Sequence, residues 1–145
     1  MVSVSRVLLD TGPLVALLSE REARHSSVKA QFAQWRAQWR APCATCEPVL
    51  TEAFHLLAKV RGGSAALRAA LREGLIVLDF DLRSELVVVL DLMHRYESVP
   101  MSLADACLVR MAELTPLALV FTLDDDFRIY RKDRTEPMET IAPFA

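Results

Sequence analysis

Apolar residues fall along this chain in two patterns. Some form uninterrupted blocks of about five residues, as in "RVLL", "LIVL" and "LALVF". Others recur every three or four positions. The blocks predict strands covered on both faces, and the spaced residues predict helices. A strand is expected over Arg6–Asp10. "TGPLVALL" then turns at Gly12 and enters a helix with Pro13 in its first turn. "HSSVKAQFAQWRAQW" sets Val28, Phe32, Trp35 and Trp39 at helical spacing, with Ser26 or Ser27 as cap. "APCAT" is a short strand. "CEPVLTEAFHLLAKV" is a helix with Val49, Ala53, Leu56, Leu57 and Val60 on one face, stopping at "RGG". "SAALRAALREG" is a short helix ending at Gly74.

"LIVLDF" predicts the next strand. "RSELVVVLDLMHRY" is long enough to favour helix despite its valines. Ser102 caps "LADACLVRMAEL", putting Asp105 at the third helical position. "LALVFTLD" is another buried strand, and "METIAP" a last edge strand. Strands and helices alternate, which is the signature of an α/β domain. The expectation is one domain over 1–145, with a central, mainly parallel sheet of four to five strands.

Composition adds little to this and removes some alternatives. The chain has 145 residues, 52% hydrophobic and 25% charged, which suits one soluble domain with a real core. No apolar run is long enough to span a bilayer, and Asp10 comes too early for a secretory signal. A cytoplasmic protein with no membrane association is expected. The net charge of −2 lacks the basic footprint of most duplex binders. It does not exclude an enzyme that holds nucleic acid through metal ions. Lys29, Lys59 and Lys132 are the only lysines among 17 cations. Arginine suits bidentate phosphate or carboxylate recognition, and a GC-rich coding bias gives the same excess. Cys43, Cys46 and Cys107 are too few for a zinc site without further ligands. Buried reduced thiols are expected, with a redox role for the C-x-x-C as the alternative.

The acids are more informative. In a parallel α/β sheet, ligands bind beyond the carboxyl ends of the strands. Asp10 and Asp124 stand at two such ends. Glu52 falls on the expected inward stripe of its helix, three residues after Val49 and four before Leu56. Asp105 lies on another apolar stripe, where the helix dipole favours an anion. Each alone has an ordinary structural explanation. Together on one rim they would repel unless protonated or bound to a multivalent cation. Oxygen-only donors favour Mg²⁺ or Mn²⁺, and the chemistry implied is metal-assisted phosphodiester hydrolysis.

In this order and spacing, "VLLDTGPLVALL", "LTEAFHLL", "SLADACLVRMAE" and "VFTLDDDF" resemble the PIN domain, most closely the small VapC-type toxins of bacterial toxin–antitoxin pairs. The resemblance spans nearly the whole chain. It implies a three-layer α/β/α fold, a Mg²⁺- or Mn²⁺-dependent endoribonuclease acting on RNA, inhibition by a cognate antitoxin and frequent homodimers. It also implies a catalytic set of Asp10, Glu52, Asp105 and Asp124, with Asp10, Asp105, Asp124 and Asp126 as metal ligands. Thr11 and Thr122 match hydroxyl residues beside the first and fourth acids and are carried as substrate-side candidates. Gly12 stands where Ser is frequent, and Asp125 where members vary, so Asp125 is given no metal role.

Other readings of the same residues are a non-toxin nuclease of RNA processing, or a metal-binding interaction module without activity. A phosphoryl-accepting receiver needs two acids after the first strand, and a dehalogenase-like phosphatase needs D-x-D there; "LLDTG" has neither. Glu52 with His55, and Asp91 with His94, have di-iron spacing but not the required helical bundle. Trp35 and Trp39 suit core packing, a protein interface or base stacking. Arg128 and Arg131, following the acids in "FRIYRKDR", could neutralise them, hold substrate phosphates or be solvated. They are taken as substrate-binding candidates.

Overall fold

Strand β1 (Arg6–Leu9) buries Val7, Leu8 and Leu9 in succession. A strand can do this only when both faces of its sheet are covered. The computed structural model describes residues 4–38 and 41–141, and β1 lies near the middle of its five-stranded sheet. The neighbours are β2 (Cys43–Thr45), β3 (Ile76–Leu78), β4 (Ala118–Phe121) and β7 (Thr140–Ile141). Their order is β3-β2-β1-β4-β7, and every pairing is parallel. The predicted parallel sheet and its final edge strand are therefore present.

Six helices cover the sheet: α1 (Thr11–Leu18), α2 (His25–Gln38), α3 (Glu47–Leu57), α4 (Gly63–Arg72), α5 (Leu82–Arg95) and α6 (Leu103–Leu114). The path β1→β2→β3 runs outward, and the chain then returns across the sheet to β4. Helix α1 packs on α2, α3 and α4, and α5 packs on α6. With the right-handed crossovers usual for parallel strands, this order puts α1–α4 on one face and α5 with α6 on the other, giving three layers. The direction of winding reverses between β1 and β4. That reversal opens a crevice at their carboxyl ends. Among the described residues, no helix is long and apolar enough to cross a membrane.

Several local expectations change. Helix α2 begins at His25, so Ser26 and Ser27 lie inside its first turn rather than at the cap, and the Ser27 hydroxyl donates to Arg24 O (3.1 Å). Trp35 is buried, with Phe32 at 5.5 Å between ring centroids, as core packing predicts; its indole N–H has no partner among the described residues. Trp39 lies outside the described residues. Leu56 is 51% exposed, because the buried stripe of α3 runs through Val49, Ala53 and Leu57 at a spacing of four. All three cysteines are free and buried. Burial pushes the Cys43 thiol up to about 12, which leaves it unreactive.

A 3-10 helix over Asp125–Arg128 and a small antiparallel hairpin, β5 (Arg131–Lys132) with β6 (Glu136–Pro137), follow β4. Elements this short carry no hydrophobic period that a sequence pattern could expose.

Candidate active site

The carboxyl ends of β1 and β4 are tied together before any side chain is considered. Leu9 pairs with Phe121, and the Asp10 N–H donates to Phe121 O (3.0 Å). Asp10 and Thr122 therefore leave the sheet side by side. The Thr122 hydroxyl donates to Asp10 Oδ2 (2.7 Å) and accepts the Asp124 N–H (3.0 Å). Its single proton is thus committed to Asp10. The other oxygen, Asp10 Oδ1, accepts the Thr11 N–H (2.8 Å), which makes Asp10 the N-cap of α1. The Thr11 hydroxyl donates to Glu52 Oε2 (2.9 Å). Two threonines thus join Asp124, Asp10 and Glu52 in one hydrogen-bonded chain.

Three of the acids also stand at the start of a helix. Asp10 caps α1. Asp124 caps the 3-10 helix, with its Oδ1 accepting the Asp126 N–H (2.9 Å). Asp105 sits in the first turn of α6, where its N–H donates to the Ser102 hydroxyl (3.0 Å), as the sequence predicts. Converging helix N-termini supply donors and partial positive charge, which is how the fold tolerates several carboxylates in one place.

The compensation is incomplete. Asp10 is only 7% exposed. Burial raises its pKa from 3.8 to about 6, against the lowering effect of the Thr122 and Thr11 hydrogen bonds; Asp105 and Asp124 raise it further. Asp105 is raised in the same sense, first by burial, with Tyr130 and Ser102 opposing and Asp124 adding. The Tyr130 hydroxyl donates to Asp105 Oδ2 (2.8 Å).

These groups border a cavity of about 700 Å³. Its lining includes six acids, Asp10, Glu52, Asp105, Asp124, Asp125 and Asp126, together with Thr11, Gly12 and Ser102. No lysine, arginine or histidine is among these lining residues. Glu52 is exposed rather than inward, since it lies beside the Val49–Ala53–Leu57 stripe and opens onto the cavity. Asp125 points into solvent and pairs with Arg128 (3.7 Å). Arg131 Nη1 donates to the carbonyls of Arg128, Ile129 and Tyr130 and closes the end of the 3-10 turn. Neither arginine lines the cavity. Gly12 does: a Cβ there would meet Leu123 Cβ at 3.3 Å, which accounts for the small residue.

The donor set suits a hard divalent cation. It offers carboxylate and hydroxyl oxygens and an uncompensated negative charge. As placed, no three His, Cys, Asp or Glu side chains among the described residues close around one point, and the carboxylates are held by their own hydrogen bonds. Tyr130 was not foreseen from the sequence, because its partner is 25 residues away and nothing in "FRIY" marks it.

Comparison with known proteins bears on the same elements. No curated protein matches the sequence. The crystal structure of Mycobacterium tuberculosis VapC20, described as a toxin cleaving the sarcin–ricin loop, matches with a TM-score of 0.70. Identity is 22%, over 90% of this chain and 99% of that one, so the likeness is one of fold. The family model described as PIN domain matches residues 7–133, which include every acid of the cavity. The chain belongs to the PIN domain family, the nucleases its four motifs resemble.

Proposed function

We propose that this protein is a Mg²⁺- or Mn²⁺-dependent endoribonuclease and the toxin of a toxin–antitoxin pair. The observation that supports this best is the cavity of six acids, three of them linked through Thr11 and Thr122, with no lysine, arginine or histidine among its lining residues. Such a set is poorly arranged for binding an anion alone and well suited to a divalent cation that in turn meets a phosphate. In this reading Asp10, Asp105, Asp124 and Asp126 hold the metal. A bound divalent cation would lower the pKa of a water and stabilise charge on the phosphate and leaving oxygen.

The remaining steps belong to the chain. Glu52, exposed and hydrogen-bonded to the Thr11 hydroxyl, accepts the proton of the attacking water. Thr122 keeps Asp10 oriented by accepting one hydrogen bond and donating the other. Thr11 and Thr122 reach the substrate only at the cost of these bonds, so orientation is their main contribution. Arg128, in an exposed ion pair with Asp125, meets an RNA phosphate. Arg131 supports the turn that carries Asp124 and Asp126. Leu86, Val87 and Leu90 expose apolar surface on α5, which an antitoxin or a second copy in a homodimer would cover.

Expression of the wild type beside Asp10→Asn tests the proposal. Growth arrest and discrete RNA fragments are expected from the wild type only. Fragments without arrest would favour a nuclease of RNA processing. Mn²⁺ binding without fragments would favour a metal-binding interaction module without activity.

A further inference from the structure

Tyr130 has no place in the motifs that carry the family resemblance, yet it is fully buried and ends on an acid of the cavity. A tyrosine hydroxyl has one proton, and a carboxylate can only accept. The 2.8 Å contact therefore commits the Tyr130 proton to Asp105 Oδ2. The ring cannot turn away. Phe127 packs on it edge-on at 5.1 Å and Tyr96 at 5.2 Å between centroids. The Tyr96 hydroxyl accepts the Arg131 N–H (3.0 Å), and Arg131 Nη1 donates to Tyr130 O (3.0 Å). The segment from Phe127 to Arg131 thus spans from the turn bearing Asp124 and Asp126 to the helix bearing Asp105.

We propose that Tyr130 is a positioning residue for the acid site, holding Asp105 Oδ2 so that the other carboxylate oxygen is the one offered to a divalent cation. The inference rests on the metal-dependent reading above. It assigns Asp105 a partner from the far side of the site, as Thr122 serves Asp10 and Thr11 serves Glu52. Each of these acids is then oriented by a hydroxyl from another segment of chain. Outer partners of this kind commonly change metal affinity about 10- to 100-fold when removed.

The bland alternative is a core tyrosine whose hydroxyl merely found an acceptor. Matched deletions separate the two. Tyr130→Phe removes the hydroxyl on Asp105, whereas Tyr96→Phe removes the same atom one ring away, from a backbone N–H. Mn²⁺ affinity is measured by calorimetric titration of wild type and both variants, and melting is measured in EDTA. Tyr130→Phe is expected to weaken Mn²⁺ binding about tenfold and Tyr96→Phe by less than about twofold, while both lose similar thermal stability. In an Asp105→Asn background, Tyr130→Phe should cause no further loss of Mn²⁺ affinity. Equal Mn²⁺ affinity in Tyr130→Phe and wild type would overturn the positioning role and leave the metal site standing. So would an equal loss in Tyr96→Phe. A wild type that binds no Mn²⁺ would overturn the metal reading and this inference with it.

Discussion

Asp10 and Asp124 close off neighbouring strands of one sheet, yet they are built differently. Asp10 is buried, with both oxygens taken by donors from Thr11 and Thr122. Asp124 is exposed, with one oxygen capping a turn. A buried carboxylate gains precise orientation but loses solvation. An exposed one keeps its solvation and much of its freedom. The site therefore combines a rigid half, Asp10 and Asp105, with an adaptable half, Asp124, Asp126 and Glu52. The rigid half stores electrostatic cost that a cation would relieve.

The largest expected effect separates activity from stability. Asp10→Asn and Asp124→Asn should both reduce RNA cleavage to background. Their melting temperatures in EDTA at pH 7.5 should diverge. Asn at 10 removes a buried charge that the fold holds at a cost, so stability should be equal to or higher than wild type. Asn at 124 replaces one good cap with another and should change little. Melting curves beside cleavage assays check both. A clear loss of stability in Asp10→Asn would mean that its charge holds the strand ends together.

The pH dependence sharpens the same contrast. Burial pushes the Asp10 carboxyl up to about 6 in the folded protein, against an ordinary value of 3.8. Between those values the folded protein keeps a proton that the unfolded chain has released. Stability from this group is present below the lower value and lost as pH rises through the upper one. A rise from 3.8 to about 6 corresponds to about 3 kcal/mol, and burial raises Asp105 in the same direction. Melting temperature in EDTA should therefore fall between about pH 4 and pH 6 and level off above that. Added Mn²⁺ should offset the fall mainly near and above pH 6, where Asp10 is ionised. A flat profile in EDTA would show that burial costs Asp10 little.

Thr122→Val should come next in size. It keeps the shape but breaks the link between Asp124 N–H and Asp10 Oδ2. Cleavage should drop about 10- to 100-fold. If Thr122 acted only on substrate, KM would rise with Mn²⁺ affinity unchanged; in an orienting role, Mn²⁺ affinity falls as well. Titration with Mn²⁺ beside steady-state kinetics decides.

The rigid half was also the more legible in the sequence. "RVLLD" and "LVFTLD" each show an apolar block broken by an acid, and parallel strands impose that pattern because both faces are buried. Asp105 could be read from the Ser102 cap three residues before it. The sequence pattern puts Glu52 inward, but spacings of three and four differ by about a quarter turn and the core of α3 uses the four. The adaptable half was harder to read. The 3-10 turn and the β5–β6 hairpin have no periodicity, and Arg131 gives no local sign that its guanidinium caps a turn. Tyr130 reaches Asp105 through tertiary packing alone.

The smallest effect belongs to Asp125, and it tests whether the three consecutive aspartates divide their work. Asp124 ends the strand side and caps the turn. Asp126 donates its N–H back to Asp124, and its carboxylate is half-buried at the cavity. Asp125 lies between them with a side chain 74% exposed, paired to Arg128 at 3.7 Å. Exposed pairs of this length contribute little to stability. Asp125→Asn should leave melting unchanged and cleavage within about twofold, since no oriented hydrogen bond depends on it. Asp126→Asn should impair cleavage more and Asp124→Asn most. The variant also frees Arg128 from its ion pair with Asp125. A rise in cleavage on Asp125→Asn, abolished by Arg128→Ala, would show that the pair restrains a cation which otherwise meets the RNA. A fall as large as that of Asp126→Asn would mean that the turn rearranges around the metal and brings Asp125 inward.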